Sequence, residues 1–143
     1  MAGGNGKAGK RGKRPENTGG TLGAGVSPAP NTDAQTPVFC FRHVVSGYDV
    51  AALDKDGRAA VAMTMQQRAS LTWLQIRQAP RHGSGTEWIP AAQIKAPIPQ
   101  QFQDQERFMV FRYDGKKPMV GVRIGATFHV LWIEAQFGDV YSH

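Results

Sequence analysis

The sequence predicts one α+β domain preceded by a basic, glycine-rich tail. Three observations carry that expectation. The composition changes abruptly at Pro37. A stretch compatible with capped helices fills the middle of the chain. Three β-patterned runs divided by glycine turns fill its last third. A length of 143 residues suits one domain rather than two.

Residues 1–36 are dominated by Gly, Lys, Arg, Pro, Asn and Thr. Their few apolar members, such as Leu22 and Val26, follow no period. Such a segment cannot bury enough surface to offset the entropy of ordering, so it is expected to be disordered. Lys7, Lys10, Arg11, Lys13 and Arg14 meet no acid within residues 1–14. Over residues 1–36, five Lys/Arg stand against two acids; over the rest, twelve stand against nine. Tail and domain therefore contribute equally to the net charge of +6. That balance favours a polyanionic partner through long-range attraction. The tail reads either as a cationic arm that displaces counterions from nucleic-acid phosphates or as a solvated extension. Its Gly-X-Gly spacings follow no strand and open no helix, which marks low complexity rather than a phosphate cradle.

Residues 38–45 read V-F-C-F-R-H-V-V, with aromatic and β-branched residues at period two, and predict a strand. Asp54 is an N-cap candidate for a helix over residues 55–69, with Ala59, Ala62, Met63 and Ala69 as its apolar side. Ser70 or Thr72 starts a shorter helix carrying Trp73, Leu74 and Ile76, and Pro80 ends it. Residues 80–106 are broken by Pro80, Gly83, Gly85, Pro90, Pro97 and Pro99, with room for a short strand or turn near residues 88–94. Residues 108–113, 119–124 and 127–133 form an antiparallel meander, separated by Asp114-Gly115 and Gly125-Ala126. A two-residue loop at Gly125-Ala126 pairs Ile124 with Thr127, Arg123 with Phe128, and Val122 with His129. It puts Arg123 on a face with Gly121, Phe128, Val130 and Trp132. His129 then shares the other face with Val120, Val122, Leu131 and Ile133. The expected architecture is a small antiparallel sheet, made of the N-terminal strand and the meander, covered on one face by two helices.

Cys40 is the only cysteine, which excludes an intrachain disulfide and a cysteine zinc site and suits a reducing cytoplasm. No apolar run is long enough for a membrane span, and no apolar core follows the N-terminal charges as in a secretory signal. The four histidines are not spaced as ligands on one element, so no metal is expected.

The segment F-M-V-F-R-Y-D-G-K-K-P-M-V-G-V-R-I-G-A-T-F-H-V-L-W-I-E, followed by G-D-V-Y-S-H, resembles the C-terminal half of the RelE/ParE toxin superfamily. The resemblance extends over residues 38–143 and is clearest over 107–143. It implies a paired-helix and meander fold and a toxin of a toxin–antitoxin pair, bacterial or phage-borne, with a small antitoxin as partner. The RelE branch cleaves messenger RNA on the ribosome without metal or cofactor; the ParE branch acts on DNA gyrase. One departure stands out: Pro118 occupies the start of the middle strand, where many RelE-like chains carry a basic residue. Lys116 and Lys117 in the adjoining turn are the nearest substitutes.

Metal-independent RNA cleavage needs a base for the ribose 2′-hydroxyl, cations for the charged transition state, and an acid for the leaving oxygen. The candidate catalytic set is Arg123, Lys116, Tyr141 and His143. Lys117, Arg112, Lys95 and Arg81 are candidate RNA contacts. Each has a plainer reading. Arg123 can pack its stem and expose its head. Lys116 and Lys117 can be solvated turn charges, Tyr141 a packing residue, and His143 a frayed end. His129 on an apolar face suggests a hydrogen-bonded core histidine, and His43 a structural one. Trp73, Trp88 and Trp132 are core candidates before they are base-stacking ones. Three functions remain open: a RelE-like endoribonuclease, a ParE-like or inactive toxin that binds a protein target, and a non-enzymatic nucleic-acid-binding protein.

Overall fold

The computed structural model describes residues 31–80, 83 and 85–143. The disorder expected of residues 1–30 lies outside the described residues, as do Arg81 and His82. The compact unit described here begins at Asn31, ahead of the expected boundary at Pro37. Its elements are β1 (Val38–Cys40), α1 (Lys55–Ala69), α2 (Trp73–Gln78), β2 (Glu87–Pro90), β3 (Arg107–Asp114), β4 (Lys117–Ile124) and β5 (Thr127–Ile133). This is an α+β arrangement with two helices and a five-stranded mixed sheet in the order β1-β5-β4-β3-β2.

The helices start where their caps dictate. The Asp54 carboxylate accepts the Gly57 N–H at 2.7 Å and opens α1. Thr72 and Gln75 form a reciprocal capping box at α2. The first amides of α2 have no acceptor within the helix. Residues ahead of β1 supply them: Trp73 N–H donates to the Gln35 carbonyl and Leu74 N–H to the Asp33 carbonyl, both at 2.9 Å. Residues 31–36 are therefore part of the packed unit.

The expected apolar side of α1 is corrected. Ala59, Ala62, Met63 and Ala69 are exposed, whereas Gly57, Val61, Thr64 and Arg68 are buried. Alanines are too small to mark a face. The branched Val61 and the hydroxyl of Thr64, which donates to the Tyr113 carbonyl at 3.4 Å, set the rotation instead.

The sheet is mixed rather than wholly antiparallel, because β1 runs parallel to β5. The strand expected over residues 38–45 pairs only as far as Cys40. Residues 41–48 turn, with Val44 N–H on the Phe41 carbonyl and Tyr48 N–H on the Val45 carbonyl. Residues 87–90 add β2 as the second edge strand, antiparallel to β3. The Gly125-Ala126 hairpin has the expected pairs Ile124–Thr127, Arg123–Phe128 and Val122–His129. Beyond them the register shifts: Gly121 faces Val130 and Val120 faces Trp132, so Leu131 is the additional residue of a bulge. The bulge reverses the alternation expected after it. Trp132 joins Val120, Val122 and Leu131, and Ile133 joins Phe128 and Val130.

Both sheet faces are covered. The helices bury Val61, Trp73 and Ile76 against Met109, Phe111, Phe128 and Val130. The opposite face carries Phe108, Val110, Val120, Leu131 and Trp132 beneath Ala96, Phe102, Val140 and Tyr141. The proline-rich segment thus acts as a lid, fastened where Trp132 Nε1 donates to the Pro97 carbonyl at 2.9 Å.

Gly121 sits beside the bulge, where a Cβ atom would overlap the His129 carbonyl oxygen. Backbone cannot yield as a flexible side chain can. Gly121→Ala is therefore expected to destabilise by about 1–3 kcal/mol or more. An unfolding midpoint displaced no further than by a neutral surface substitution, within ~0.5 kcal/mol, would contradict this packing.

Candidate functional site

A groove of about 640 Å³ opens beside β2 and β3, on the sheet face away from the helices. One wall carries Glu87, Trp88, Arg112 and Lys116; the other carries Phe137, Tyr141 and His143. Each wall has its own local cause. Arg112 lies in β3 opposite Pro118, and Glu87 in β2 opposite Val110, so their side chains meet. Arg112 Nη2 and Nε both donate to Glu87 Oε2, at 2.6 and 3.2 Å. Lys116 occupies the β3–β4 turn, where Gly115 takes φ +60°.

The second wall is built on Glu134, which follows β5 and is fully buried. Its Oε1 lies 2.8 Å from His143 Nε2, and its Oε2 accepts the Val140 N–H at 3.0 Å. Its own backbone is also fixed: Glu134 N–H donates to the Pro118 carbonyl, and its carbonyl accepts the Tyr113 hydroxyl. The His143 ring is stacked between Phe137 and Tyr141, with centroids at 3.9 and 4.3 Å. Lys95 holds the outside of this segment, its Nζ donating to the Gly138 carbonyl at 2.7 Å.

The structure brings four of the sequence candidates, Arg112, Lys116, Tyr141 and His143, to one groove. Lys95 supports the segment from behind, and Lys117 opens β4 opposite Asp114. Arg81 lies outside the described residues.

Arg123 is not in the groove. It is on the helix side of the sheet, with its guanidinium 4.3 Å from the centroid of the Trp73 ring. Nη2 donates to Thr32 Oγ1 at 2.9 Å and to Asp33 Oδ1 at 3.0 Å, while Nε donates to the Gly125 carbonyl at 2.8 Å. The Asp33 carboxyl is held below its usual range, first by its hydrogen bond to Arg123. The cation on an apolar face thus has a partner inside the protein.

His129 is corrected as well. Its Nδ1 is buried with no hydrogen-bond partner among the described residues. Burial, and then the neighbouring His43, lowers its pKa. His43 shares a hydrogen bond with Gln101 at 2.8 Å. Trp73 and Trp132 are core, but Trp88 is 45% exposed on the groove wall, with Arg107 over its ring at 4.0 Å.

Sequence reasoning missed Glu134, Glu87 and Phe137 as parts of this site, and took Trp88 for core before base stacking. Glu134 was detectable as an acid closing a nearly uninterrupted apolar run. Glu87 and Trp88 sit among the proline and glycine breaks that hid β2.

Comparison with family models, with curated proteins and with solved structures finds no match to this chain. Among the described residues, no helix is long and apolar enough to cross a membrane.

The arrangement supplies an imidazole oriented by a buried carboxylate, with Nδ1 as the second ring nitrogen. It also supplies two cations, one paired with Glu87, and a phenol kept protonated. Burial, reinforced by Glu87, pushes the Tyr141 phenol up to about 12. Tyr113 is also pushed up to about 12, chiefly by burial.

Two predictions follow from this geometry. Glu134→Gln removes the negative charge and leaves at most one good acceptor for two donors. It is expected to cost about 1–3 kcal/mol, and wild-type urea stability in the variant would refute that role for the carboxylate. The second concerns alkali. A phenol whose folded pKa is raised loses stability only as pH climbs from its unfolded value near 10 toward about 12. Unfolding midpoints should therefore fall over that window. Replacing Tyr141 with Phe should flatten the fall, and an unchanged slope would count against the burial of the hydroxyl.

Proposed function

We propose that this chain is a RelE-like toxin, a metal-independent endoribonuclease that cleaves messenger RNA on the ribosome and is restrained by a small antitoxin in the cytoplasm. The observation that carries this reading is the His143 imidazole, held by buried Glu134 at a groove that also presents Lys116, Arg112 and Tyr141. The resemblance of residues 107–143 to the superfamily adds to it.

The chemistry is transesterification within the RNA. With Nε2–H donated to Glu134, Nδ1 of His143 is the basic nitrogen and takes the proton of the 2′-hydroxyl. The 2′-oxygen forms a bond to phosphorus, and the bond from phosphorus to the 5′-oxygen breaks. Lys116 and Arg112 stabilise the charge that gathers on the phosphoryl oxygens. Tyr141, protonated at neutral pH, donates toward the departing oxygen. The products are a 2′,3′-cyclic phosphate and a 5′-hydroxyl. Phe137, 54% exposed, offers the ring face away from His143 to an unstacked base. Arg123 has no part in this scheme, because its contacts are to Trp73, Thr32 and Asp33.

The Arg112–Glu87 ion pair favours a second reading, because a cation already neutralised gives less to a phosphate. In that reading the groove binds a protein target, as in a ParE-like or inactive toxin.

Induced expression with transcript-end mapping, and cleavage assays with and without ribosomes, test the proposal. Wild type should generate new 5′-hydroxyl ends. His143→Ala should slow cleavage by about 10²–10⁴-fold, Lys116→Ala should also slow it, and a folded Arg123→Ala protein should cleave normally. Unimpaired cleavage by His143→Ala removes the proposed base. No cleavage by wild type under either condition removes the enzyme reading and leaves the protein-target one.

A further inference from the structure

Arg68, in the last turn of α1, is only 6% exposed. Its Nη2 donates to the Gly83 carbonyl at 2.9 Å and its Nη1 to Gln67 Oε1 at 3.4 Å. Its Nε is buried and has no hydrogen-bond partner among the described residues. None of the ion pairs among those residues involves it. A guanidinium does not discharge at neutral pH. A buried charge without a counter-charge is costly, and removing it from water also weakens its hold on its proton, as the lowered pKa of Arg68 reflects.

This cation borders a cavity of about 400 Å³, separate from the groove and bounded also by Thr64, Gln67, Tyr113 and Asp114. Among the described residues, both hydrogen-bond partners of its guanidinium are neutral acceptors and no ion pair answers the charge. Arg112 lines this cavity as well as the groove, which makes the two adjacent.

We propose that this cavity is a phosphate-binding site in which a phosphate oxyanion, free or in a polynucleotide backbone, supplies the counter-charge of Arg68. A guanidinium fork matches two phosphate oxygens at once. Asp114 on the rim opposes an anion and sets the affinity low. The site stands independently of RNA cleavage in the groove, since an anion alone fills it.

The test uses the full chain in chloride buffer and follows the Nε–Hε resonance of Arg68 by NMR. One arm titrates inorganic phosphate; the other titrates a 2′-O-methyl hexanucleotide, which cannot be cleaved by 2′-hydroxyl attack. Phosphate should move the resonance saturably, while chloride at matched ionic strength should not. Asp114→Asn keeps a favourable Asn-Gly turn, and it should lower the phosphate midpoint about threefold, as removal of one partly screened charge implies. Arg68→Lys retains charge without the fork and should raise the midpoint, read from its stabilisation by phosphate; if it does not fold, wild type and Asp114→Asn decide. Movement in both arms identifies a backbone phosphate as a ligand, and movement with inorganic phosphate alone identifies a free one. Absence of saturable movement in both arms, or equal movement with chloride, overturns the site.

Discussion

The candidate site depends on one buried carboxylate. Glu134 is fully enclosed, and an enclosed charge persists only where hydrogen bonds replace the water it has lost. Its two oxygens meet this requirement with groups from the chain that follows it, the Val140 amide and the His143 ring. Satisfying the charge therefore folds residues 135–143 back over the sheet. The same contacts set Phe137 and Tyr141 on the two sides of the imidazole. One desolvated group thus closes the second core and presents the groove.

Glu134 reaches that position because of the bulge in β5. In an unbroken register, residues 128, 130, 132 and 134 would share the helix-covered face. The additional residue at Leu131 sends Trp132 to the opposite core and Ile133 to the helices. Glu134 then meets the face that carries Val140 and Tyr141. Gly121 permits the close approach of β4 and β5 at the shift. Strands β1, β3, β4 and β5, their order in the chain and the Gly125-Ala126 hairpin were legible in the sequence, because apolar alternation and turn glycines act locally, whereas β2 was hidden among the proline and glycine breaks. The bulge was not legible. Nothing in V-L-W-I distinguishes four alternating residues from three with one inserted, and the choice rests on packing against both cores.

The same limit applies elsewhere. Asp54 marked the start of α1, and Ser70 or Thr72 that of α2, where Thr72 is the cap, since capping is settled within a few residues. The buried face of α1 was not legible, because scattered alanines carry little information against Val61 and Thr64. The parallel pairing of β1 with β5 joins segments far apart in sequence and leaves no local sign. Four of the site candidates converged because the meander turn and the chain end lie at one edge of the sheet. Their organiser, Glu134, followed an apolar run and carried no motif.

Arg123 and Arg68 show why a cation in apolar surroundings does not by itself announce a site. For Arg123 the counter-charge is Asp33, ninety residues upstream, and the Trp73 ring supplies a second contact. That pairing fastens residues 31–36 to the start of α2 and fully accounts for the position of the charge. Arg68 carries less signal in the sequence, at the end of a polar helix where a basic residue suits the helix dipole. In the fold it is the more deeply buried of the two and, among the described residues, has only neutral acceptors. What separates a structural cation from a ligand-seeking one is therefore the identity of its nearest acceptors. That property belongs to tertiary structure and is invisible in the spacing of residues along the chain.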